Sequence, residues 1–253
     1  MKLKVLASGS KGNSSLLITD KIKVLIDLGM SYPYIIAKLL ESNIGPSDIE
    51  AILITHTHSD HIKGLKQFVK KNNTLVYVPL KMAEELVKII PEKNLRIIEN
   101  EFSLKDLDVF LIHTSHDAVS SCGYIFTNKD NNLVYITDTG YINRKYFKKI
   151  TNKDIYYIES NHDEKMLMEG PYPHILKQRI ISDEGHLSNR TTAEYLKEIV
   201  GTKTKYIILA HLSETNNTEQ LAYSTTKEAM DEINYQEKIL ITKQNEALEM
   251  VEV

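Results

Sequence analysis

A chain of 253 residues, 42% of them hydrophobic, has the material for one large domain or two small ones, and its formal net charge of −3 excludes a generally basic, polynucleotide-coating surface. Any nucleic-acid partner must then be held by a local basic patch or by metal ions. The single cysteine, Cys122, excludes an intramolecular disulfide and fits a reducing cytoplasm, the start of the chain reaches Ser8-Gly9 too soon for a signal-peptide core, and no apolar run approaches membrane-spanning length.

Hydrophobic periodicity and turn chemistry predict strands at 2–7, 15–19 and 23–27. The turn-rich stretch 8–14 lacks the G-x-x-x-x-G-K-[ST] order and precedes a strand, which argues against a phosphate loop. A helix follows at 33–41 with Pro33 in its first turn, then a buried strand at 51–54. Helix 64–71, strand 75–78 and an amphipathic helix 81–90 ending before Pro91 come next. Strands are predicted at 107–113, 123–127 and 133–137, with a hairpin turn at 129–132. Strand 154–159, helix 188–200 capped by Ser188 or Asn189, strand 205–209 and helix 218–233 lead to short strands at 239–242 and 248–251. Both halves mix strands with helices, which suits two sheets between helices better than one parallel sheet. No linker divides the chain, so 1–253 is expected to be one α/β domain.

The stretch His56-Thr57-His58-Ser59-Asp60-His61 directly follows the predicted strand 51–54. Loops at strand ends commonly carry function. His56 and His58 alternate on an extended backbone and can face one ion; Asp60 and His61, past the turn, can face a second. Further ligand types recur at strand ends: His116, Asp138 and His211. Five imidazoles and two carboxylates suffice for two divalent cations without a thiolate. Zinc suits the imidazoles, and the oxygen ligands also admit manganese.

Taken together, Thr55-His56-Thr57-His58-Ser59-Asp60-His61 resembles the H-x-H-x-D-H signature of the metallo-β-lactamase fold, and His116, Asp138 and His211 match that superfamily's later metal motifs in order. The opening Val5-Leu6-Ala7-Ser8-Gly9-Ser10-Lys11-Gly12-Asn13-Ser14-Ser15 narrows the match, as do Glu159-Ser160-Asn161-His162-Asp163, Gly170-Pro171-Tyr172-Pro173 and Gly185-His186-Leu187-Ser188-Asn189. These segments are similar to the YycJ/WalJ-type branch of bacterial metallo-β-lactamase-fold nucleases, from Val5 to past His211. The resemblance implies a four-layer αββα sandwich with the metal site at one edge, between the sheets. It implies one ion on His56, His58 and His116, another on Asp60, His61 and His211, and Asp138 bridging them. It also implies a dinuclear phosphodiesterase that uses a metal-bridging hydroxide, most simply a DNA exonuclease working 5′ to 3′.

Around that set, His186 stands just before a helix, where an anion is favoured. In related transfer-RNA-processing nucleases a histidine at a similar place works with an acid. The same reading here makes His186 a phosphate ligand and general acid, oriented by Glu159, with Asp60 able to steer the nucleophile. The bland alternative for His186 is a histidine packed at a helix cap. His162 could touch substrate or order its loop. Asp27 could hold a ligand histidine or simply a turn. His113 and His174 read as residues without chemical roles, and Cys122 as a small core residue. Lys11, Lys177, Arg179 and Arg190 are candidate contacts to backbone phosphates, although such charges usually form a solvated face. Two rivals stay open: hydrolysis of a small ester, thioester or lactam on the same fold, and a non-catalytic protein with a metal-stabilised fold.

Overall fold

The computed structural model describes residues 1–253 and contains two seven-stranded sheets. The first holds β1 (Lys2–Ala7), β2 (Ser14–Ile18), β3 (Lys23–Ile26), β4 (Ala51–Leu53), β5 (Leu75–Val78), β6 (Leu95–Ile97) and, at its edge, β14 (Val251–Glu252), in the order β14-β1-β2-β3-β4-β5-β6. The second holds β7 (Glu101–Leu104), β8 (Leu107–His113), β9 (Cys122–Asn128), β10 (Asn131–Ile136), β11 (Ile155–Glu159), β12 (Tyr206–Ala210) and β13 (Lys238–Ile241), in the order β13-β12-β11-β10-β9-β8-β7. Within the first sheet β3 to β6 run parallel, and within the second β10 to β13 do.

Why the sheets stack follows from side-chain alternation along each strand. On β10, Leu133 and Tyr135 enter the large core shared by the two sheets, while Val134 and Ile136 turn to the helices behind. On β11 the same split puts Tyr157 inside and Tyr156 and Ile158 outside. Because both faces are covered, β11 is buried at all five positions and is hydrophobic up to Glu159 at its end. Buried tyrosines tie the layers through their hydroxyls: Tyr124 donates to the Ile54 carbonyl (2.6 Å), and Tyr157 to Ser8 Oγ (2.9 Å). Burial pushes the Cys122 thiol up to about 12, so it remains a protonated core group.

Helices α1 (Tyr32–Leu40), α3 (Leu65–Asn72) and α4 (Leu80–Leu86) bury Ile35, Leu39, Phe68 and Met82 against the first sheet. Helices α8 (Asn189–Ile199) and α9 (Glu219–Glu232) bury Leu196, Ile199, Ala222 and Met230 against the second. Ser188 and Thr218 cap these two, accepting from the amides of Thr191 and Leu221 at 3.1 Å each. Short helices complete the chain: α2 (Ser59–Ile62), α5 (Phe147–Ile150), α6 (Glu164–Glu169) and α7 (His174–Ile181). The result is the αββα sandwich expected. No helix is long and apolar enough to cross a membrane.

The expected elements differ in detail. Helix α4 stops at Leu86 rather than at 90; the chain continues in turns to Pro91, with the Val87 and Ile90 amides donating to the Ala83 and Leu86 carbonyls (2.9 Å each). The closing strand is β14, at Val251–Glu252, rather than 248–251; Leu248 makes only one amide bond, to the Val5 carbonyl (2.9 Å). Strands β6 and β7 are short and largely exposed, and α2 and α5 to α7 were not anticipated.

Leu196, fully buried under α8, tests this packing. Leu196→Ala should lower unfolding free energy by about 2–5 kcal/mol in urea titration; a loss below about 0.5 kcal/mol would mean that α8 is not integral to the core.

Candidate active site

The strand ends of both sheets meet at one edge of the sandwich. Asp27 follows β3, the histidine loop follows β4, His116 follows β8, Asp138 follows β10, Glu159 ends β11 and His211 follows β12. Three of these turn sharply into the site: Asp27, Asp138 and His211 have φ of 58°, 53° and 55°. Left-handed backbone in such residues costs on the order of 1–3 kcal/mol each and persists only where surroundings enforce it. The adjoining loops supply that enforcement. Asn13 donates its amide to the Asp60 carbonyl, Leu28 to that of His61, and Gly29 to that of Asn13, each at 2.8 Å. Gly29 is required for this approach, because a Cβ there would lie 1.6 Å from the Asp60 carbonyl oxygen.

The ligand-type atoms fall into overlapping groups. His56 Nε2 and His116 Nε2 lie 3.1 and 3.3 Å from His58 Nδ1. His61 Nε2 lies 3.5 Å from Asp60 Oδ2, which is 3.7 Å from His211 Nε2. Asp138 stands between these groups, with Oδ2 3.3 Å from His61 Nε2 and Oδ1 3.9 Å from His116 Nε2 and 3.4 Å from His211 Nδ1. In every group the candidate atoms are within 4.8 Å of one another. All seven sequence-predicted ligands therefore converge.

Their electrostatics fit cations. Asp27, Asp138 and Glu159 are buried and Asp60 half-buried, and their ion-pair partners are all histidines, never lysine or arginine. Buried carboxylates need compensation. Burial and the neighbouring His61 push His56 well down, into the neutral form a metal needs. Burial alone would lower His211, but the Asp138 charge and contacts with Asp60 and Glu159 outweigh it and hold that imidazole at about 10. A proton there does what a divalent ion would do better. His211 Nε2, moreover, is buried without a hydrogen-bond partner, as befits a ligand atom. The residues present thus fit a pair of divalent ions.

Outer contacts orient the ligands. Asp27 Oδ2 accepts from His61 Nδ1 (2.8 Å), leaving Nε2 for an ion, while Asp27 also accepts from the Thr55 amide and hydroxyl (2.8 Å each). The Gly185 carbonyl accepts from His116 Nδ1 (3.2 Å). Glu159 Oε1 meets His186 Nδ1 at 2.7 Å and His211 Nδ1 at 2.9 Å. Burial by itself would raise this carboxyl; the His186 charge and the hydrogen bonds from both imidazoles outweigh it and hold Glu159 at about 2. His186 in turn is raised against its burial by Glu159.

An open recess above the ligands is lined by His58, Asp60, His116, Asp138, His186 and His211, and also by Arg179 and Asp117. Of the other predicted contacts, none lines it. His162 is buried; its carbonyl accepts from the Asn189 amide (2.8 Å), and burial pushes its ring down to about 4. This is the loop-ordering arrangement. Lys177 donates to the Met168 carbonyl (2.7 Å), Lys11 pairs with Glu214, and Arg190 lines a separate recess between α6, α8 and α9. His113 contacts Asn100 (3.3 Å), and His174 is exposed at the start of α7.

Two participants were missed. Asn13 Nδ2 lies 3.0 Å from His61 Nε2 and 3.3 Å from Asp60 Oδ2; its only sequence signal was membership of the early turn. Asp117, adjacent to His116, has Oδ1 3.4 Å from His116 Nε2 and its other oxygen on Arg179.

Comparison with known proteins agrees with this geometry. Residues 23–211 match the family model described as "Beta-lactamase superfamily domain". The chain is 42% identical over 231 residues to Exodeoxyribonuclease WalJ of Streptococcus pneumoniae, covering 88% of this chain and 86% of that protein. It is 37% identical over 233 residues to Exodeoxyribonuclease YycJ of Bacillus anthracis, covering 90% and 88%. The crystal structure of the metallo-β-lactamase-fold protein YhfI from Bacillus subtilis superposes with a TM-score of 0.70 at 16% identity, over 98% and 99% of the two chains, a likeness of fold.

Asp27→Asn should weaken divalent-ion binding roughly 10–100-fold while leaving the circular dichroism spectrum intact, as read by metal titration. Unchanged affinity would mean that His61 needs no such support.

Proposed function

Because this chain belongs to the beta-lactamase superfamily, in its branch of YycJ/WalJ exodeoxyribonucleases, we propose that it is a metal-dependent exonuclease that trims DNA. The observation that carries this reading is close relationship over nearly the whole chain to two exodeoxyribonucleases, together with a complete set of ligand side chains around Asp138.

His56, His58 and His116 would hold one divalent ion and Asp60, His61 and His211 a second, with Asp138 within reach of both. Zinc is favoured by the nitrogen-rich set and manganese is admitted by the carboxylates. When bound, such a pair supplies Lewis acidity, easing deprotonation of water and neutralising phosphoryl oxygens. The chain's own residues do the rest. Asp60, at the open side of the cluster, can accept a hydrogen bond from attacking water and aim it at phosphorus. Glu159 fixes His186 through Nδ1 (2.7 Å), so Nε2 is the nitrogen left for the leaving oxygen. His186, raised by Glu159, carries the proton that a departing alkoxide needs. Arg179 at the rim supplies a cation for a backbone phosphate, which should make DNA affinity fall with salt. A cytoplasmic site of action accords with the free thiol of Cys122.

End-labelled DNA, RNA and a chromogenic ester, each incubated with zinc or manganese, test this. DNA should be shortened from one end, chelator should stop it, and His186→Ala should lower kcat roughly 10²–10⁴-fold with both ions retained. Ester turnover with inert polynucleotides would overturn the proposal in favour of a small-molecule hydrolase.

A further inference from the structure

Helix α7 is unusual for a helix in this sandwich: none of its eight residues is buried. Two of its four apolar residues nevertheless form a strip, while Ile175 and Ile181 are exposed away from it. Leu176 and Ile180 lie four apart, one turn of helix, and Tyr172 stands in the bend before the helix. Those three are the only hydrophobic residues among the sixteen that line the recess over the ligand cluster. A surface helix ordinarily turns such a strip to the core. Here it lines the recess.

The wall is fixed with respect to the ligands. Asp117, next to His116, accepts from both Nε and Nη2 of Arg179, on the same helix. The Asp117 amide donates to the Glu184 carbonyl (3.2 Å), His116 Nδ1 to the Gly185 carbonyl (3.2 Å), and the His186 amide back to the Ile180 carbonyl (2.9 Å). The recess therefore has a polar floor suited to a phosphodiester, a cation at its rim and one apolar wall. A nucleotide has the matching pieces: a charged phosphate and a flat base whose faces stack on aromatic and aliphatic surfaces.

We infer that Tyr172, Leu176 and Ile180 seat the terminal nucleobase of the DNA being trimmed, with Arg179, held by Asp117, receiving an adjoining phosphate. This rests on the exonuclease reading and adds a subsite to it. Because every base offers such faces, the seat holds a nucleotide without reading its identity.

The experiment measures kcat/KM of the metal-loaded protein on oligonucleotides whose terminal nucleotide is intact or abasic, with the lesion at the 5′ end in one set and the 3′ end in another. The wild type should prefer the intact terminus by roughly tenfold at the end it degrades, the order expected for one stacked base. Tyr172→Ala combined with Leu176→Ala should bring that ratio near one, and Tyr172→Phe, which keeps the ring, should retain it. DNA degraded equally well with either terminus would refute the seat while leaving the exonuclease reading intact. A double variant that keeps the full ratio would refute it too. No DNA degradation under any condition would remove the exonuclease reading and the seat with it.

Discussion

Acidic groups without basic partners are the constraint on which this molecule turns. Asp27, Asp138 and Glu159 are withdrawn from water, Asp60 half so, and each finds its ion-pair partners only among imidazoles. Isolated buried charge is expensive, and breaking its compensation more so. Protonated His61 and His211 can compensate in part. Divalent ions compensate fully and use the lone pairs that protons would occupy. The cluster thus fits a cation site, and the surrounding contacts hold its side chains in place.

That support explains otherwise costly features. Left-handed backbone at Asp27, Asp138 and His211 accompanies the turn of each chain segment off its strand at the histidine cluster. The close passage of Gly29 under the Asp60 carbonyl joins the β2–β3 end of the first sheet to the histidine loop. Tyrosine hydroxyls reaching across the core, as from Tyr157 to Ser8 and Tyr124 to the Ile54 carbonyl, keep the two sheets in fixed relation. Since ligands come from both sheets, sheet-to-sheet packing and site geometry are one problem. The Ser8 hydroxyl also accepts from the His211 amide (2.9 Å), so a core tether ends at a ligand.

Much of this was legible because local signals were dense. Four ligand-type residues in six positions after an apolar run mark a strand-end site, and ligands at later strand ends followed the same logic. Asp27 as partner of a ligand imidazole was also within reach, since such imidazoles usually have one. Illegible features depend on distant chain segments. Asn13 reaches Asp60 across 47 residues, and Asp117 meets Arg179 across 62. Charge alone does not say which face a side chain joins, which is why Arg179 reaches the recess while Lys177 and Arg190 do not. Helix α7 was missed since its apolar strip serves the recess and not the core, and β6 and β7 since short exposed edge strands carry little alternation.

The most direct measurement is anomalous diffraction from crystals of the metal-loaded protein, recorded at the metal's absorption edge. The account predicts two peaks roughly 3.5–4 Å apart on either side of the Asp138 carboxylate, the spacing of two-metal phosphodiesterase sites. A single ion, or two ions that do not share Asp138, would contradict it.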